Sequence, residues 1–211
     1  MFHGTIIKRP LVILKYRHKL YVLGEGFGVE DFGLYSIRFI VCKYMPHASV
    51  KTIRDLIYWE YAKLISGSTT GDRRNYAFVM HAYQSLRAGA THPSAIIREN
   101  KMLVGAEKAC AYCGATDESL EWEHIIPKSK IVIDTLDNQV LACRSCNAKK
   151  GARDPFEWYG LERRYEVPRL VLGKYLKLIY ELHEKQGTLD AQGLRGGEKI
   201  NVYDLGVVLQ S

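Results

Sequence analysis

The chain has 211 residues, of which 47% are hydrophobic and 25% charged, and a formal net charge of +7. That is enough to bury a core in one medium domain or two small ones, and the balance is that of a soluble globular protein. No apolar run approaches the ~18 residues of a membrane helix, and residues 1–10 lack a basic stretch followed by an apolar one. No membrane association and no signal peptide are expected, and the expected compartment is the cytoplasm.

The charge is unevenly spread. Residues 1–109 carry 16 Lys/Arg against 8 Asp/Glu, and residues 110–211 carry 14 against 15. A basic half beside a near-neutral half suits a chain in which one part grips a polyanion and another does chemistry. A basic, merely solvated surface would give the same numbers.

In chain order, short apolar runs at 11–14 and 20–23 predict two strands joined by the basic stretch 15–19. Gly24, Gly26 and Gly28 then break the pattern. With neither GK[ST] nor GxGxxG, this segment reads as a flexible loop and not a phosphate loop. Residues 35–43 predict another strand, in which Cys42 reads as a core residue. Residues 49–65 switch to helical spacing, with Ile53, Leu56, Ile57, Leu64 and Ile65 recurring at three and four. Residues 67–71 predict a loop, residues 73–88 a second helix stopped by Gly89, and residues 91–103 a third capped by Thr91. Pro168 opens a fourth over 168–186, with Leu172, Tyr175, Leu176, Ile179 and Leu182 on its apolar face and Gly187 as its stop. The tail, 199–209, predicts a strand.

Four of the five cysteines form two pairs, Cys110-Ala-Tyr-Cys113 and Cys143-Arg-Ser-Cys146. Two CxxC pairs without a secretion signal read as a tetrahedral zinc site, since two thiolates three positions apart in a tight turn reach one ion at about 2.3 Å. Gly114 suits such a turn. The 29 residues between the pairs exceed the usual ribbon spacing, so something is inserted in the zinc-closed loop.

That insert holds Leu120-Glu121-Trp122-Glu123-His124-Ile125-Ile126-Pro127-Lys128, then Asp137-Asn138-Gln139, and leads to Cys146-Asn147-Ala148-Lys149-Lys150-Gly151. An imidazole can take a proton from water near neutral pH, and His124 is the only histidine in the cluster. A hard divalent cation takes carboxylate and carbonyl oxygens, of which Glu123 and Asn147 offer one each. Adjacent strand residues point to opposite faces, so Glu123 and His124 share a site only if the strand bends or twists there. Read singly, a Glu-His pair is surface polarity and Asn147 a helix cap. Lys128, Arg144, Lys149 and Lys150 are candidate phosphate contacts or solvated side chains. Phe156 and Trp158 read as a small satellite core.

Together these residues resemble the HNH, or ββα-metal, nuclease motif: an acidic-His-x-x-Pro strand, a central Asn fifteen residues after Glu123, and CxxCN-x-x-KG opening a helix nine residues later. The likeness covers about a quarter of the chain. It implies an α+β fold, a ββα-metal module at 105–165 stapled by structural Zn2+ on Cys110, Cys113, Cys143 and Cys146. Around it would lie a basic, β-rich N-terminal region with helices at 1–104, and a helix-and-strand extension at 166–211. It further implies His124 as general base, Glu123 and Asn147 as ligands of a catalytic Mg2+ or Mn2+, and Asn138 as the brace that orients the histidine. The products would carry 5′-phosphate and 3′-hydroxyl ends. Double-stranded DNA is the expected partner. RNA, nicked or branched DNA, and a non-catalytic zinc module that only binds nucleic acid are the alternatives. Palindromic cutting would require two sites, hence a homodimer. The motif departs from the family in having Glu at 123, where Asp is commoner, and Asn at 147 in place of His.

Overall fold

Thr52 starts the first long helix among the described residues by a reciprocal cap: its hydroxyl accepts from the Asp55 amide while the Asp55 carboxylate accepts from the Thr52 amide. In the computed structural model, which describes residues 13–16, 19–22, 46–90, 108–116, 119–194 and 199–210, this helix is α1 (Ile53–Thr70). The chain divides into two units, Met1–Lys43 and Tyr44–Ser211.

In the first unit β1 (Ile13–Tyr16) and β2 (Lys19–Val22) pair antiparallel, with Tyr16 opposite Lys19. Residues 15, 16 and 19, expected in the connector, thus belong to the ladder. The glycine segment 24–28, the strand over 35–43 with Cys42, and the helix over 91–103 lie outside the described residues.

In the second unit α1 does not stop at Gly67, contrary to the loop expected at 67–71. Ser68, Thr69 and Thr70 donate their hydroxyls to the carbonyls of Leu64, Ile65 and Ser66 at 2.9, 3.0 and 2.9 Å. This back-bonding satisfies residues whose composition alone favours a loop. Gly71, at φ 75°, takes the left-handed cap that ends the helix. Asn75 caps α2 (Tyr76–Arg87), which buries Val79, Ala82, Tyr83 and Leu86.

The ββα unit follows: β3 (Leu120–His124), a 3₁₀ turn at Leu136–Asn138, β4 (Gln139–Cys143) and α3 (Arg144–Lys150). A capping box between Asp154 and Glu157 starts the short α4 (Pro155–Tyr159). Pro168 precedes α5 (Arg169–Lys185), which buries Leu172, Tyr175, Leu176 and Ile179. Ile125, Ile126, Val140 and Phe156 of the ββα region share one core with α1, α2 and α5. Phe156 therefore belongs to the main core, its ring 5.6 Å from that of Tyr175, and not to a satellite. Lys174 on α5 donates to the carbonyls of Leu136 and Gln139 at 2.8 and 2.7 Å, and Lys177 pairs with Asp137 at 2.6 Å. These bonds tie the hairpin's turn to the helical core.

The tail is a 3₁₀ helix, Asp204–Gln210, and not the expected strand. Asn201 and Asp204 cap each other's turn, at 2.6 Å from the Asn201 amide to the Asp204 carboxylate, and Leu205 and Val208, three apart, are both buried.

His183, wholly buried, lies between Thr188 Oγ1 at 2.7 Å and the Leu205 carbonyl at 3.1 Å. Burial holds its pKa below the ordinary 6.5. In the window between the two values the unfolded chain binds a proton that the folded chain does not, so stability falls as pH drops from 6.5 through the depressed value. Denaturant midpoints at neutral and mildly acidic pH are expected to fall further for the wild type than for His183→Gln. Equal falls would contradict this role.

Candidate active site

The first cysteine pair sits in a tight knuckle. Gly114, at φ 77°, lets its amide donate to the Cys110 carbonyl at 2.8 Å, and the Cys110 amide donates to the Ala115 carbonyl at 2.8 Å. The Ala111 amide donates to the Leu141 carbonyl at 2.8 Å, which hangs the knuckle on β4. The second pair lies where β4 becomes α3. All four sulfurs fall within 4.8 Å of one another, and Cys113 and Cys143 are 3.8 Å apart. A zinc ion with four bonds of about 2.3 Å requires sulfurs about 3.8 Å apart, so the four thiols fit a tetrahedral metal site such as one for zinc. Burial raises the Cys110 thiol, but the amides of Cys143, Cys113 and Tyr112 outweigh it and bring its pKa down to about 7. Burial and the neighbouring sulfurs push Cys146 upward. A cation among them would remove that conflict by binding thiolates.

Because β4 leads straight into the second pair, the four-thiol site lies at one end of the hairpin. Its register runs from Leu120 opposite Cys143 to His124 opposite Gln139, without interruption. At the far end Asn138, fully buried, closes the connecting loop. Its Oδ1 accepts from the Ile126 amide at 2.8 Å, and its Nδ2 donates to the carbonyls of Ile126 and Ile133, both at 3.0 Å. Its own carbonyl accepts from the Ile125 amide at 2.8 Å.

The regular ladder puts Glu121 and Glu123 on one face of β3 and Trp122 and His124 on the other. The contacts follow that division. His124, with 20% of its side chain exposed, has Nε2 3.1 Å from Asp134 Oδ1 and 3.2 Å from Gln139 Nε2. Asp134 Oδ2 accepts from Lys128 Nζ at 3.0 Å, and these bonds from Lys128 and His124 hold the Asp134 carboxyl below its ordinary pKa. Trp122, on the same face, is 55% exposed.

On the opposite face Glu123 is buried. Lys150 Nζ donates to Glu123 Oε1 at 2.6 Å and to the His124 carbonyl at 2.8 Å, and the Tyr112 hydroxyl donates to Glu123 Oε2 at 2.6 Å. Burial pushes the Lys150 pKa down despite Glu123, and pushes the Tyr112 phenol up with the carboxylate's help. Lys150 is 0% exposed, so the phosphate contact expected of it is corrected: its ammonium is spent inside the module. Asn147, half-buried on α3, has Nδ2 3.5 Å from Glu121 Oε2. Among the described contacts none joins Asn147 to Glu123, and the bend that would bring Glu123 and His124 to one face is absent. Lys128, Arg144 and Lys149 are exposed.

Four partners escaped the sequence reading. Gln139 was legible in principle, because a hairpin with Asn138 at its turn sets residue 139 opposite His124. Asp134 lies in a loop whose path the sequence does not state. Tyr112 was hidden within the CxxC spacing, and Glu121 by the more prominent carboxylate two residues on.

An antiparallel hairpin and a short helix, joined by four thiols placed to hold one ion, make this a ββα module of the zinc-stapled type. Residues 110–153 match the HNH endonuclease family, and the chain carries an HNH endonuclease domain there, which points to nuclease activity and a nucleic-acid substrate. None of the curated proteins and none of the solved structures compared with the chain matches it.

Proposed function

We propose that the protein is an endonuclease that hydrolyses phosphodiester bonds in double-stranded DNA, with His124 as general base. The observation that carries this reading is the placing of an accessible imidazole at the open end of the hairpin, inside the HNH segment, with Nε2 against Asp134. An Nε2 proton donated to Asp134 leaves Nδ1 as the basic nitrogen, and the carboxylate favours the imidazolium that forms. His124 takes the proton from water, the oxygen attacks phosphorus, and the bond to the 3′ oxygen breaks. Lys128 and Trp122, on the same exposed surface, are suited to a phosphate and a sugar or base. Asn138 acts as a positioning residue for the loop.

A divalent cation, Mg2+ or Mn2+, would neutralise charge on the phosphate. The family pattern assigns it to Glu123 and Asn147. As arranged, Glu123 does not fit that duty, because Lys150 and Tyr112 already hold both its oxygens; the carboxylate beside Asn147 is Glu121. The same observation favours a second reading, a zinc module that binds nucleic acid without cutting it.

Incubation of plasmid, single-stranded DNA and RNA with the wild type and His124→Ala, in Mg2+ and in Mn2+, separates the readings. Cleavage of plasmid is expected to fall by about 10²- to 10⁴-fold in the variant, with DNA binding retained. Asp134→Asn should lose about tenfold, a part of that effect. Wild-type protein that binds DNA and leaves every substrate intact would support the non-catalytic module.

A further inference from the structure

Away from the ββα unit, a cleft of roughly 380 Å³ opens between the end of α1 and the start of α5. Among its lining residues are Gly67, Asp72, Arg73, Arg74, Tyr165 and Arg169. Three guanidinium groups thus face one carboxylate, and that carboxylate is engaged: Asp72 Oδ1 accepts from the Arg74 amide at 2.8 Å and lies 3.6 Å from Arg74 Nε.

Arg73 is held in place. Its Nη1 donates to the carbonyls of Tyr165 and Val167 at 3.1 and 2.6 Å. Its stem crosses α1 at Gly67, where a Cβ would stand 2.7 Å from Arg73 Cγ. Burial lowers its pKa, the Glu60 carboxylate works against that, and the charge of Arg169 lowers it again, so Arg73 lies between a buried acid and a second guanidinium. Arg169 is the first residue of α5, a 17-residue helix with no side-chain cap and no acidic residue in its first turn, so the positive end of the helix dipole adds to the same region. The Tyr165 ring forms one wall, 5.8 Å from Arg74 and 5.3 Å from Lys63, whose ammonium is paired with Glu60 at 2.5 Å. Opposed guanidiniums in a cleft are costly by themselves and favourable around an anion that accepts from several forks at once.

We infer that this cleft is a phosphate-binding site, separate from the HNH residues, taking a phosphate group on Arg73, Arg74 and Arg169 with Tyr165 as its wall. That the phosphate belongs to a bound DNA strand rests on the nuclease reading; that the cleft takes phosphate does not. Both are measured on the full chain without added Mg2+ or Mn2+, so the result is independent of whether the protein cuts. Titration with inorganic phosphate is compared for wild type, Arg74→Gln, Arg169→Gln and Arg74→Lys, alongside binding to a DNA duplex across a salt series. Arg73 is left intact because its bonds to Tyr165 and Val167 hold the chain. Folding of each variant is checked by thermal melting.

Phosphate affinity is expected to fall about tenfold or more in each Gln variant and less in Arg74→Lys. The slope of log K for DNA against log salt is expected to become shallower by about 1 in each Gln variant. Loss of phosphate affinity with an unchanged slope would support the site and make its ligand a free phosphate compound in place of a strand. Wild-type protein that does not bind phosphate, or folded Gln variants that bind it as the wild type does, would overturn the inference.

Discussion

Replacing Cys143 by Ser is expected to abolish metal retention, unravel the hairpin and end any cleavage, while leaving the helical core folded. The reason lies in how little else holds the knuckle. Between Cys110 and Cys113, Ala111 and Tyr112 pack against the main core, Tyr112 also bonding Glu123, but Cys110 and Cys143 themselves rest on a small cluster with Ala142, flanked by Tyr112, Ala115, Leu120 and Cys146. Ile125, Ile126 and Val140 anchor the far part of the intervening loop in the main core, but the thiol end has only this cluster, and a metal on the four sulfurs would supply the missing link, since binding energy at a structural site is folding energy. The α1, α2 and α5 core has its own apolar contacts and does not depend on the thiols. Native mass spectrometry should find one zinc per wild-type chain and none in the variant. Hydrogen exchange should lose protection in β3 and β4 and keep it in α1 and α5. A variant with unchanged protection in β3 and β4 would show that the thiols do not support the hairpin.

Lys150→Met is expected to cost about 3–5 kcal/mol, because it leaves the Glu123 carboxylate buried with Tyr112 as its remaining side-chain partner. For a chain of this size that corresponds to a fall in melting temperature of roughly 6–20 °C. The pair itself need not be worth so much, since two buried charges lose hydration before they attract each other. Glu123→Gln combined with Lys150→Met should therefore recover much of the loss, as the substituted amide can still accept from Tyr112 and leaves no buried charge. A double variant as unstable as Lys150→Met alone would indicate that packing, and not the unpaired carboxylate, sets the cost. The same series bears on the metal. If Glu123 is a ligand, Glu123→Gln alone will weaken Mg2+ or Mn2+ dependence; if Glu121 is, Glu121→Gln will do so without loss of stability.

The four-thiol site was legible because both halves of each cysteine pair are local, and a spacing of three is itself geometry. The α1 and α5 apolar faces followed from periods visible in the residues, the insert from the spacing of the cysteine pairs, and the ββα order from the resemblance to the HNH motif. What the sequence hid was direction. Glu123 and His124 are neighbours in the motif, yet a ladder regular up to the His124–Gln139 pair turns them to opposite faces. Lys150, at the end of a short helix rich in charge, reads as solvated until α3 is seen to lay it across Glu123. The end of α1 was hidden because serine and threonine hydroxyls can serve either a loop or their own helix, and only the carbonyls of Leu64, Ile65 and Ser66 decide. The tail misled for a similar reason: an apolar stretch fits a strand or a 3₁₀ turn equally until its core is known.

In the proposed mechanism, thiolate-held zinc shapes a hairpin whose half-buried histidine draws a proton from the attacking water. Single-turnover cutting of an end-labelled duplex isolates that step, with zinc-loaded wild type and His124→Ala compared at saturating protein. Strand scission by the wild type is expected to leave 5′-phosphate ends, and to be slowed by at least about 100-fold in a variant that binds the duplex equally well. Equal scission rates for the two proteins would rule out His124 as the base.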